Sequence, residues 1–301
     1  MVARNQRLRV LDREFRGEVR ARLDQAIVGC FPTIVASRSA AKRLCKAGEV
    51  TLNGKPAGPS RWVERGDMLG LIPSSRRGAA VFGLALDVVY EDRWMAVVIK
   101  PPGFPVSGNR HRTIANALPF NLGIAQSDDA LMAPWPAHRL DAATSGLLMV
   151  AKTSRVLAAL NRQFEQGQVH KRYRALARGR LQGELHLTAP LDGRAARTTV
   201  TPEAETPSRR CGWVTRVCVV PHTGRTHQIR RHLASAGYPI LGDKRYTEEG
   251  PLLRGSGLYL AAVGLAWKHP ITGAAVGLTI PPPPKFDGYW RRTLRAWQRA
   301  P

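Results

Sequence analysis

Acidic residues are scarce in this chain. Its 301 residues include 22 Asp and Glu against 46 Lys and Arg, a formal net charge of +24. Such a balance says little about fold, but it favours a polyanionic partner, nucleic acid or an anionic membrane surface. Cysteine is also rare: Cys30, Cys45, Cys211 and Cys218 form no C-x-x-C pair. That spacing argues against structural zinc and a disulfide framework, and fits small buried side chains in a reducing compartment. No run of about 18 apolar residues is present, so no transmembrane helix is expected. The basic stretch 1–17 has no apolar segment behind it that would make a secretory signal. A soluble, cytoplasmic protein is the expectation. No Gly-rich loop precedes a Lys-Ser or Lys-Thr, which leaves out P-loop nucleotide hydrolysis, and no G-x-S-x-G elbow serves a serine hydrolase.

What is present describes a globular protein, with 44% hydrophobic and 23% charged residues. The length suits two domains at ~150 residues each. Charge is denser at the front: residues 1–77 carry 16 basic and 7 acidic side chains, the rest 30 and 15. Val19, Leu23, Ile27 and Cys30 fall at helical spacing. A second helix is predicted over Ser39 to Ala47, capped by Ser37 or Ser39 and stopped at Gly48. Asn53-Gly54 between short β-prone runs signals a hairpin. On the second helix Arg38, Lys42 and Lys46 recur every four residues beside Arg43, a basic face suited to a nucleic-acid backbone.

Behind a break at Pro73 to Ala80, strand-like and helical stretches alternate, as in a mixed α/β or α+β domain. Residues 88–100 form two strands around an acidic turn, and Leu147 to Ala151 fits a buried strand. A helix follows from Thr153 to a stop at Gly167. From Val169 the chain alternates, placing Lys171, Tyr173 and Ala175 on one face. Trp290, Leu294 and Trp297 lie at helical spacing near the end.

Two segments can carry chemistry. In the first, His138 to Gly146, Asp141 is the only carboxylate between Asp129 and Glu165, and it stands among His138, Arg139 and Lys152. An acid flanked by cations suits a nucleophile or base. The second runs from His222 to Leu233. There Thr226 is placed as the cap of a helix bearing Ile229 and Leu233, with Arg225 at the helix N-terminus, where an anion is favoured. That anion is either an RNA phosphate or the Asp141 carboxylate. His227 and His232 are five apart and share no helix face, so no zinc site is expected. The C-x-x-C of a zinc deaminase is missing.

These segments resemble the RluA family of pseudouridine synthases. HRLDAATSGLLMVAKT from His138 is similar to the family's catalytic block, and TGRTHQIRRHLASAGYPILGDKRY from Thr223 to its C-terminal block. KPPGFPVSG from Lys100, HKRYRAL from His170 and LAWKHPITG from Leu265 resemble further family elements. Residues 19–72 resemble the small RNA-binding fold first seen in ribosomal protein S-four.

The resemblance implies an α+β architecture. The catalytic domain has a central mixed, mostly antiparallel sheet flanked by helices, preceded by a small α/β RNA-binding domain. The boundaries expected are a basic arm 1–16, the RNA-binding domain 17–73, a linker 74–80 and the catalytic domain 81–301. It implies isomerisation of uridine in RNA to pseudouridine, with no metal and no cofactor. Asp141 attacks the flipped-out nucleotide, either at the anomeric carbon or by helping to remove the ribose 2′ proton. Tyr173 stacks on the target base, Arg225 pairs with Asp141, Arg139 fills the gap left by the base, and Ile229 completes the pocket floor. The expected partner is RNA, large-subunit ribosomal RNA first and transfer RNA second, with no membrane and a monomeric protein. A non-catalytic RNA-binding ribosome assembly factor is the alternative.

Overall fold

The computed structural model describes residues 11–31, 35, 37–71, 81–108, 110–247 and 256–299. Contacts divide the chain into two compact units, one up to Val81 together with Ser127–Met132, the other formed by Phe82–Gln126 and the residues from Ala133 onward.

In the small unit, α1 (Leu23–Cys30) buries Leu23, Ala26 and Ile27. Val19 does not join that stripe and is 77% exposed, because the chain before the helix is extended: Ala21–Arg22 pairs with Trp62–Val63. Helix α2 (Arg38–Lys46) begins at the first of the two candidate serines, with Ser37 Oγ accepting from the Ala40 N–H at 3.2 Å. A four-stranded sheet contains β1 (Leu11–Glu14), β2 (Val50–Leu52), β3 (Lys55–Pro56) and β4 (Met68–Leu71), in the order β1-β4-β2-β3. Asn53 and Gly54 take φ of 53° and 79°, the doubly left-handed turn expected of a two-residue hairpin. Strand β1 pairs along its whole length with β4. The end of the stretch set apart as an arm over 1–16 is therefore an edge strand of this sheet, whereas 1–10 and the linker 74–80 lie outside the described residues.

The large unit is built on a sheet of β5 (Val88–Glu91), β6 (Met95–Lys100), β7 (Ser145–Thr153), β8 (His170–Arg178), β9 (Leu185–Leu187), β10 (Thr198–Ser208), β11 (Gly212–Pro221) and β12 (Leu260–Lys268). Their order is β9-β10-β11-β8-β12-β7-β6-β5, and β13 (Ala275–Thr279) adds to β12. Within this order the pairings are antiparallel except β7 with β12, so the sheet is mixed and mostly antiparallel, as expected.

Helices α3 (Ile114–Asn121), α4 (Ser154–Glu165), α5 (Gln228–Ser235) and α6 (Lys285–Gln298) complete the unit. Thr153 caps α4 through its hydroxyl, which accepts from the Val156 N–H. The apolar seam of α6 starts earlier than the Trp290–Leu294–Trp297 stripe. Phe286 and Tyr289 are buried against the Tyr259 ring, while Trp297 is 49% exposed. Among the described residues no helix is long and apolar enough to cross a membrane.

All nine residues of β7 are buried, which explains why it reads as a continuous apolar run. Its first pairs set the position of the loop before it. Gly146 faces Lys100 on β6 and Ala262 on β12. At Gly146 φ is 115°, and a Cβ there would lie 2.1 Å from the Ala262 carbonyl oxygen. Only glycine allows this approach. Gly146→Ala is expected to lower unfolding free energy by at least about 2 kcal/mol, read as a lower urea midpoint. An unchanged midpoint would show that the strands can separate there freely.

Candidate active site

The loop carrying Asp141 is tied to the segment after β6. The Ala142 carbonyl accepts from Lys100 Nζ at 3.1 Å and from the Gly103 N–H at 2.7 Å. The Thr144 N–H closes a turn onto the Asp141 carbonyl at 3.0 Å. Lys100 is fully buried and also donates to the Pro101 carbonyl at 2.8 Å. Burial lowers its ammonium to about 8, with the Asp141 charge pulling the other way. At the head of the loop His138 Nε2 accepts from the Met149 N–H at 3.0 Å, and burial pushes that imidazole down to about 4. His138 is thus a neutral brace between loop and β7.

The second segment folds differently from its expected form. Helix α5 has His227, not Thr226, as its N-cap residue, in the left-handed region at φ 54° and ψ 27°. The first helical side chain, Gln228, organises the approach. Its Oε1 accepts from the Arg225 N–H and the Thr223 hydroxyl, and its Nε2 donates to the Arg197 carbonyl and the Thr198 hydroxyl. Arg225 lies ahead of the helix and donates from Nε to the Ala195 carbonyl at 3.0 Å. The expected Arg225–Asp141 pair is therefore replaced. Arg230, in the first turn of α5, presents Nη1 to Asp141 Oδ2 at 3.4 Å. Its Nε and Nη2 grip both oxygens of Asp243 at 2.7 and 2.8 Å.

Burial works against the Arg230 charge, but the Asp243 hydrogen bonds and the charges of Asp243 and Asp141 outweigh it and raise the guanidinium above its usual value. Asp243 is 1% exposed; burial opposes its charge, yet Arg230 and the Arg245 and Tyr246 N–H groups hold it below the usual carboxylate range. Sequence reasoning did not single out Arg230, Asp243 or Tyr246. All three lie inside the quoted C-terminal block, but no local spacing shows that Asp243 would fold back on Arg230.

Asp141 and Arg230 open on a cleft of about 530 Å³ lined by the Asp141 loop, by β8 and by residues 221–230. Tyr173 enters from β8, just after a bulge between Arg172 and Tyr173. Burial, then the nearby Asp141 charge, raises its phenol well above the usual value, so the ring is a neutral surface. Lys171 lies two residues away on the same face and donates to the Thr223 carbonyl at 3.2 Å; burial lowers its ammonium. Ile229 is 6% exposed and both packs in the core and lines the cleft, while the exposed Arg139 lies on the rim side of the Asp141 loop. Asp141, Tyr173, Arg139, Ile229 and Arg225 thus share one cleft.

In the small unit the basic face of α2 is partly spoken for. Arg38 and Lys42 reach the buried Asp24 carboxylate at 3.4 and 3.8 Å, and Arg22 joins them at 3.4 Å. Arg43 and Lys46 on the same helix are exposed.

Residues 95–235 match the family model for RNA pseudouridylate synthase, and 33–69 match that of the S4 domain. A dual-specificity RNA pseudouridine synthase RluA of Haemophilus influenzae is 34% identical over 62% of this chain and 89% of its own. A ribosomal large subunit pseudouridine synthase D of Xylella fastidiosa is 32% identical over 89% of this chain and 87% of its own. The chain belongs to the RluA family of RNA pseudouridine synthases. The solved human RNA pseudouridylate synthase domain containing 1 shares the fold, with a TM-score of 0.57 and 24% identity over 72% of this chain and 96% of that one. This pseudouridine synthase is accordingly an isomerase acting on RNA, with an S4 domain ahead of its catalytic sheet.

The Lys100 tie gives this synthase a defined pH response. An unfolded lysine titrates near ~10.4, the folded one at about 8. The penalty for the buried ammonium is complete below pH 8 and fades as pH rises through that window, since the unfolded chain then holds more protons. The urea midpoint of the wild type, relative to Lys100→Met, should therefore climb between pH 8 and 10. A difference that stays flat with pH would contradict this environment.

Proposed function

We propose that the synthase isomerises uridine in large-subunit ribosomal RNA, with Asp141 as the nucleophile. The observation that carries this reading is the position of the Asp141 carboxylate in the cleft, 3.4 Å from the Arg230 guanidinium and sharing that cleft with Tyr173, whose ionisation it opposes. A uridine inside stacked RNA must be extruded to reach such a cleft, at a cost of roughly a few kcal/mol. A stacking aromatic returns roughly 1–3 kcal/mol per base. Tyr173 is a neutral ring suited to that task, with Ile229 forming the apolar floor beneath it. Arg139, exposed at the rim, takes the place vacated by the base.

Asp141 then bonds to the anomeric carbon as the N-glycosidic bond breaks and its electron pair leaves with the uracil. The uracil turns and bonds through carbon five while the carboxylate departs; the carbon-five proton then passes to water and N1 takes up a proton in its place, which completes the isomer. Atoms are conserved and no redox partner is needed. Arg230 offers a fixed cation to the carboxylate throughout, without reorganising.

In this reading Arg43 and Lys46 are phosphate contacts of the S4 domain, and Arg38 and Lys42 divide their charge between Asp24 and the RNA; the exposure of all four supports it. The ribosomal target is supported by the names of relatives that match most of the chain, such as the large-subunit synthase of Xylella fastidiosa. The proposed location is the cytoplasm and the proposed state a monomer.

Tritium released from carbon five of labelled uridine, in ribosomal and transfer RNA pools separately, tests this reading. Release is expected from ribosomal RNA. Asp141→Asn should abolish it while RNA binding persists, because the change removes charge and nucleophile but little volume. Wild-type turnover by that variant removes Asp141 from the mechanism, and release from transfer RNA alone overturns the target.

A further inference from the structure

His227 has features that neither helix capping nor packing requires. It holds a left-handed backbone with φ 54°, a conformation costing on the order of 1 kcal/mol or more for a residue with a Cβ. Although it stands at the N-cap of α5, its side chain caps nothing. The ring is turned instead into the space between two other groups. Its Nδ1 lies 2.8 Å from the Tyr246 hydroxyl, and its Nε2 lies 3.7 Å from Asp141 Oδ1. Arg230 approaches the other oxygen, Oδ2. Tyr246 touches both partners of Asp141, since its ring also lies 5.1 Å beneath the Arg230 guanidinium.

We propose that His227 is a positioning residue for Asp141, holding the carboxylate by a tautomer that the Tyr246 hydroxyl selects. This rests on Asp141 being the nucleophile. Burial lowers the proton affinity of the imidazole, and the Arg230 and Arg245 charges add to that, against the opposite pull of Asp141 and Asp243. A neutral imidazole has one N–H and one lone pair. With the Tyr246 O–H donating to Nδ1, the N–H is on Nε2, directed at the carboxylate. The reverse tautomer would set a lone pair against a negative oxygen. At 3.7 Å the contact is electrostatic in the free enzyme, the separation expected of a group that tightens when substrate fills the cleft. Arg230 on one oxygen and His227 on the other together fix the carboxylate plane, which decides whether a lone pair meets the anomeric carbon.

Tyr246→Phe isolates the claim, because it keeps the ring under Arg230 and removes only the hydroxyl. Full-length variants, with folding verified by urea midpoint, are assayed by tritium release from labelled ribosomal RNA, or from transfer RNA if that pool is the substrate. The expected result for Tyr246→Phe is a kcat about 10-fold lower with KM unchanged. His227→Ala should lose at least as much. His227→Gln, which retains a side-chain N–H donor, should recover part of the loss. In the His227→Ala background Tyr246→Phe should have no further effect.

A Tyr246→Phe kcat within two-fold of wild type overturns the proposal, as do losses in the two variants that multiply independently. If His227→Ala does not fold, Tyr246→Phe and His227→Gln decide alone. Asp141→Asn is run beside them. If it is inactive while Tyr246→Phe is fully active, only the His227 role fails; if it turns over normally, the nucleophile assignment beneath it fails.

Discussion

Arg230 is a buried guanidinium shared by two carboxylates, and the active site is arranged around it. With its side chain 9% exposed, it cannot depend on water for compensation and must be paired. Asp243 supplies the structural half of that compensation through a two-pronged grip. Asp141 supplies the other half from the open side, where one guanidinium nitrogen is left to meet it. The asymmetry is what the chemistry needs. A carboxylate held by two short hydrogen bonds, as Asp243 is, would be a poor nucleophile, whereas Asp141, with Arg230 at 3.4 Å from one oxygen and His227 at 3.7 Å from the other, keeps lone pairs for the attack proposed for it. The remainder of the fold delivers these three residues: β7 and Gly146 place the Asp141 loop, Lys100 and Gly103 pin it at the Ala142 carbonyl, and α5 carries Arg230 to it.

The walls of the cleft follow the same logic of desolvation. Burial keeps His138 neutral and lowers the ammonium of Lys171, whereas the pairing of Arg230 raises its guanidinium above the usual value and makes it a fixed positive charge in contact with Asp141. Tyr173 is pushed towards its neutral phenol by the same burial and by Asp141. A neutral aromatic face beside an anion and a guanidinium suits the proposed handling of an extruded uracil, with Tyr173 as stacking surface, Asp141 as nucleophile and Arg230 as a charge that does not move.

Much of this was legible in the chain. The hairpin at Asn53-Gly54, the buried β7, the helix starting at Thr153 and the Asp141 loop all rest on local rules, and each lies where the residues predict it. The arginine was not. Arg225 and Arg230 lie five residues apart in one basic block, and choosing between them depends on where α5 begins and which way its first turn faces. The start is set by a left-handed histidine, and His227 is neither Gly nor Asn, so no propensity announces it. The deciding partner, Asp243, is thirteen residues further on and meets Arg230 only through the tertiary fold. Val19 failed for a related reason: a two-residue ladder to Trp62–Val63 keeps the chain extended where periodicity alone continues the helix. The basic face of α2 was visible, but the buried Asp24 that occupies Arg38 and Lys42 was not.

The central claim is that Arg230, not Arg225, holds Asp141, the proposed nucleophile. Single-turnover tritium release at saturating RNA, compared between Arg230→Lys and Arg225→Lys, tests it most directly. A lysine at 230 cannot grip Asp243 and reach Asp141 together, so that variant should lose at least ~100-fold in rate, while Arg225→Lys keeps its rate within ~3-fold. The opposite order, with a folded Arg230→Lys near wild type and Arg225→Lys inactive, would contradict the account.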